Sequence, residues 1–104
     1  MQGLASLLLL LIVCASSADA QQKRTLRGQV VNRDGVGQQC QIDFYKGNDV
    51  AYRLSSDKQG YFYVNNAEFG TYRVVVVQGN RQEEFNKVTI DSNGLRPPTL
   101  VVRW

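Results

Sequence analysis

The chain has two cysteines and no histidine, which narrows the chemistry it can perform. Without an imidazole there is no Ser/His or Cys/His pair to activate a nucleophile. The commonest zinc sites also lose their nitrogen ligands. Asp34, Asp57 and Asp91 fall in glycine-containing stretches and invite a calcium reading. Calcium needs several oxygen ligands at close spacing, and Asn32-x-Asp34-Gly35 supplies only two side chains. Turn capping is the better account of these residues. Cys40 alternates with Ile42 and Phe44, the pattern of a buried strand face, where a free thiol acts as a small hydrophobe. An intermolecular bridge or a reactive thiol is its alternative. We expect no catalytic residue, no metal and no cofactor.

Tyrosines are the remaining candidates. If Phe62 and Val64 point inward, Tyr61 and Tyr63 point outward, because neighbours along a strand face opposite sides. Tyr45 faces outward by the same logic. Tyrosine offers apolar area with a polar tip, so Tyr45, Tyr61 and Tyr63 together could form a platform for sugar stacking or protein contact. Ordinary strand propensity also explains them as sheet surface.

The elements that must position these residues are short strands. Leu26, Gly28 and Val30 alternate with Arg27 and Gln29, and Cys40, Ile42 and Phe44 with Gln41, Asp43 and Tyr45. Tyr52 and Leu54 mark the inner side of a weaker strand. Asp57-Lys58-Gln59-Gly60 makes a tight turn into Tyr61-Phe62-Tyr63-Val64, and residues 65–70 read as a loop. Residues 71–78 hold four consecutive valines, the mark of a central strand. Beyond Gly79-Asn80 the chain is polar, and Phe85 precedes Val88 and Ile90 across a bulge. Asp91-Ser92-Asn93-Gly94 is another loop. Pro97-Pro98 cannot donate ladder bonds and starts an edge strand, which carries Leu100, Val102 and Trp104. About seven strands with frequent turns predict an all-β fold, a seven-stranded Greek-key β-sandwich forming a single small domain.

The first twenty residues stand apart. An apolar run over residues 7–13 is followed by small residues ending in Ala18-Asp19-Ala20, the pattern of a secretory signal peptide cleaved after Ala20. That run is too short to span a bilayer. Ala15-Ser16-Ser17 is a second possible site, and a lipoprotein box ending at Cys14 is the rival reading, weakened by Val13 before the cysteine. Residues 21–104 then form the domain, secreted or periplasmic. All 12 Lys and Arg lie in it, so losing Asp19 leaves the net charge one unit above the +3 of the whole chain. The basic residues are mostly scattered singly, whereas nucleic-acid surfaces cluster them. We expect no nucleic-acid partner and no transmembrane segment in residues 21–104.

Several short motifs resemble one known group. Leu26-x-Gly28-x-Val30, Gly35 and Cys40-x-Ile42-x-Phe44 resemble the opening of carboxypeptidase regulatory-like domains. Ser56-Asp57-Lys58-Gln59-Gly60-Tyr61-Phe62 is similar to their T-D-x-x-G-x-F turn, and Phe69-Gly70-Thr71-Tyr72-Arg73-Val74 to their P-G-x-Y-x-L turn. The resemblance covers nearly all of residues 21–104. It implies a transthyretin-like (prealbumin-like) sandwich, generally a non-catalytic accessory. The absent histidines and the ending Leu100-Val101-Val102-Arg103-Trp104 separate the chain from the related hydroxyisourate hydrolases. Val76 stands where the isopeptide-forming collagen-adhesin domains carry a glutamate. The expected function is an exported non-catalytic module for protein or cell-envelope interaction, with edge-strand pairing as one physical route. The alternative is a small carbohydrate-binding protein using the exposed tyrosines.

Overall fold

Strands form wherever apolar and polar residues alternate. The computed structural model describes residues 24–104, so the expected signal peptide and Cys14 lie outside the described residues. Eight strands occur among the described residues: β1 (Arg24–Val31), β2 (Gln41–Lys46), β3 (Asp49–Ser55), β4 (Tyr61–Ala67), β5 (Gly70–Gln78), β6 (Arg81–Asp91), β7 (Gly94–Arg96) and β8 (Thr99–Val101). That is one more than the alternation predicts. The extra strand is β7, three residues that turn back at Gly94 and pair with the end of β6. Most of the expected loop 65–70 is also strand, because β4 runs on to Ala67 and β5 begins at Gly70.

The strands form two sheets, ordered β4-β1-β8 and β3-β2-β5-β6-β7. All pairings are antiparallel except β1 with β8, which run parallel at the edge of the smaller sheet. Inward residues from both sheets make one core. Val30, Phe62, Val64 and Leu100 come from the smaller sheet, and Ile42, Phe44, Tyr72, Val74, Val76, Val88 and Ile90 from the larger. Phe44 is its aromatic centre, with ring centroids 5.8 Å from Tyr72, 6.0 Å from Tyr52 and 6.2 Å from Phe62. Cys40 is buried in the same core. Trp104 packs partly against it, its indole N–H buried without a partner among the described residues.

Two glycines let the sheets close. A Cβ on Gly28 would lie 2.2 Å from the Phe62 ring. Gly60 has φ +88°, and a Cβ there would sit 2.1 Å from the Val30 carbonyl oxygen. Left-handed backbone and close approach both exclude a side chain at that position. The Val30 N–H donates to the Gly60 carbonyl at 2.8 Å, so the turn before β4 is fastened directly to β1.

Turn capping accounts for the aspartates, with one change of residue. Asp57 Oδ1 accepts from the Gln59 and Tyr61 N–H groups, and Asp91 Oδ1 from that of Asn93. In the first loop the cap is Asn32, whose Oδ1 accepts from the Asp34 and Val36 N–H groups.

Candidate functional site

With most apolar side chains turned inward and Val36, Val50, Phe69 and Val101 left exposed, recognition falls to the outer faces, loops and edges of the sheets. On the larger sheet, Tyr45 of β2 stands opposite Arg73 of β5. The Arg73 guanidinium lies 4.4 Å from the Tyr45 ring centroid, a cation–π stack. Glu84 of β6 closes onto Arg73 at 2.6 Å and neutralises it. Beside them Asp43 is buried on an outward position, held by Arg53 Nε at 3.0 Å and by the Gln41 amide. Asp43 in turn keeps the Arg53 guanidinium above its ordinary pKa, chiefly through that hydrogen bond. The outward arginines of this face are thus paired, and Val50, opposite Tyr45, is its exposed apolar residue.

The smaller sheet is different. Its outer face carries Arg27 and Gln29 from β1, Tyr61 and Tyr63 from β4, and Thr99 and Val101 from β8. Arg27 stands opposite Tyr63 in the register and leans diagonally over the Tyr61 ring, 4.7 Å from its centroid. Such diagonal neighbours are within reach of long side chains. Tyr63 and Val101 are each 50% exposed. The Tyr63 side chain has neither a ring partner nor a hydrogen bond among the described residues. The Gln29 amide donates to the Gln59 carbonyl, and Thr25 Oγ1 bonds Asn65 Oδ1, so polar side chains around the tyrosines are already oriented.

The fold therefore brings Tyr61 and Tyr63 onto one face and does not bring Tyr45 to them. The physical reason is pairing: β2 lies between β3 and β5, while β4 pairs with β1. Alternation tells inside from outside but not which sheet a strand joins. Alternation likewise places Arg27 outward, between Leu26 and Gly28, without saying what stands next to it. Only the β1–β4 register sets it beside two tyrosines.

The groups with chemical potential are otherwise engaged. Burial pushes the Cys40 thiol above its ordinary 9.0. Ser56 Oγ, next to it, accepts from the Cys40 N–H and donates to the Gln38 carbonyl. Burial likewise pushes the Tyr72 phenol well above 10.0, with the neighbouring Tyr52 hydroxyl adding to the effect. Among the described residues no helix is long and apolar enough to cross a membrane. No family model, no curated protein and no solved structure matches the chain.

Proposed function

We propose that this chain is an exported, non-catalytic module of the carboxypeptidase regulatory-like kind, a prealbumin-like Greek-key sandwich. Its partner is protein or cell-envelope material, and its contact surface is the outer face of the smaller sheet. The observation that carries this reading is the difference between the two faces. On the larger sheet the outward Arg53 and Arg73 are each paired with a carboxylate, Asp43 and Glu84. The smaller one presents Tyr63 and Val101 half-exposed, with aromatic area free to be covered. Apolar and aromatic groups ringed by polar ones are the usual composition of a contact surface. The motif residues support the family assignment: Asp57 caps its turn and Gly60 fastens that turn to β1.

A sedimentation assay tests this. The exported chain, purified and mixed with an envelope fraction of its source cells, should co-sediment. Tyr63→Ala combined with Val101→Ser should weaken this by about tenfold, as loss of interface anchors does. Tyr45→Ala should leave it unchanged. Binding that survives the first variant and fails in the second would overturn the reading. N-terminal sequencing of the exported chain should begin at Gln21; a lipidated Cys14 would support the lipoprotein route instead. The pairing of Tyr61 and Tyr63 on one face favours a second reading, a carbohydrate-binding protein. Glycan-array binding lost in both Tyr61→Ala and Tyr63→Ala would select it.

A further inference from the structure

Each outer face carries an arginine laid over a tyrosine ring, and the two stacks differ in one respect. Arg73 over Tyr45 is neutralised by Glu84 at 2.6 Å. Arg27 over Tyr61 has no carboxylate partner among the described residues. None of the outward positions of β1, β4 and β8 is acidic. Of the outward residues named above, Arg27 alone carries a formal charge, and it lies over Tyr61 without a carboxylate partner among the described residues. We propose that Arg27 and Tyr63 form a binding site for a carboxylated sugar, a uronate unit of an acidic polysaccharide. The proposal rests on the outer face of the smaller sheet being the contact surface.

Geometry selects a sugar acid among anions. Arg27 and Tyr63 are directly opposed across β1 and β4, which sets their Cβ atoms about 5 Å apart. A pyranose ring lying on the free Tyr63 ring carries its carboxylate on a ring carbon, and so holds it within reach of the guanidinium. Tyr61 holds the guanidinium 4.7 Å from its ring centroid, and the planar fork of an arginine suits bidentate pairing with a carboxylate. Gln29 and Asn65, already oriented by Gln59 and Thr25, keep further hydrogen-bonding capacity for hydroxyl groups. An acidic peptide would satisfy the charge, but its carboxylate sits on a flexible side chain and is not held at a fixed place relative to a ring lying on Tyr63.

The test uses the exported chain, a galacturonate oligomer and the methyl ester of that oligomer, with affinity read by calorimetry. The acid should bind with an affinity that falls as salt rises. The ester should bind about tenfold more weakly, the scale of losing a charged hydrogen bond. Arg27→Gln should abolish the preference for acid over ester, and Tyr63→Ala should weaken both. Arg73→Gln should change neither. Circular dichroism checks that each variant is folded, and Arg27→Lys should keep a reduced preference because it keeps charge without the planar fork. Equal binding of acid and ester, or a preference that survives Arg27→Gln, would overturn the proposal. Equally tight binding of poly-glutamate would overturn it in favour of an acidic protein partner. If the oligomers do not bind while envelope co-sedimentation still depends on Tyr63, the uronate site fails and the contact surface stands. If co-sedimentation is also independent of Tyr63, both fail.

Discussion

Gly60 shows how much a single residue can decide here. It closes the Asp57 turn through its N–H at 3.0 Å and offers its carbonyl to Val30, in a conformation side chains rarely adopt. Gly60→Ala should cost about 1–3 kcal/mol, from backbone strain and displacement of the Val30 carbonyl. Gly28→Ala should cost a similar amount, about 1–3 kcal/mol, by overpacking against Phe62. Urea unfolding midpoints check both, and an unchanged midpoint for Gly60→Ala would contradict the close approach. Cys40 and Tyr72 make a second prediction at this scale. Both are acids whose folded pKa is raised, so each keeps its proton in the fold after the unfolded chain has lost it. Their contributions are complete below 9.0 and 10.0 respectively and are lost as pH rises beyond those values. Each can lower stability by at most about 1.4 kcal/mol per pH unit. Cys40→Ala should remove the earlier loss and Tyr72→Phe the later one, read as urea midpoints across the alkaline range.

Among the elements, β6 is the most exposed to error, because only its last three residues pair with β7. From Arg81 to Val88 its outer edge has no strand beside it among the described residues. Two devices protect that edge. A register shift sets Asn86 and Lys87 against Arg73, the bulge expected between Phe85 and Val88. Glu83, opposite the inward Val76, turns a charge toward the space between the sheets, and the chain end satisfies it. Its Oε1 accepts from the Arg103 N–H at 2.8 Å and lies 3.4 Å from the Arg103 guanidinium. Bulges and inward-pointing charges are recognised guards against edge-to-edge pairing. Glu83→Ala should therefore destabilise by about 1–2 kcal/mol, the scale of a hydrogen bond to a charged group. It should also raise self-association, measured by light scattering after size exclusion. A variant that stays as stable and as dispersed as the parent would remove Glu83 from this role. Most strands were legible from alternation alone, as with Cys40, Ile42 and Phe44. β7 was not, since three residues are too few to show a period. The parallel pairing of β8 with β1 was not legible either, because it depends on where the chain end returns.

At the scale of the whole molecule, two faces that look alike in sequence have opposite characters. Tyr45, Tyr61 and Tyr63 all read as outward, and all three are, but sheet membership divides them. The same limit hid Asp43, which stands on an outward position yet is only 4% exposed, bonded by Arg53 and Gln41 and opposite Val75 of β5. Period two describes a strand, while a binding face is a property of strands side by side. The consequence is a molecule whose outward arginines are paired with carboxylates on one face, Arg53 and Arg73, and lack a carboxylate on the other, at Arg27. Residue-resolved NMR of the purified chain, titrated with the solubilised envelope fraction, tests this most directly. Amide shifts should move at Arg27, Gln29, Tyr61, Tyr63, Thr99 and Val101 and stay fixed at Tyr45, Arg73 and Glu84. Shifts centred on Tyr45 and Arg73, or along the open edge of β6, would contradict the account.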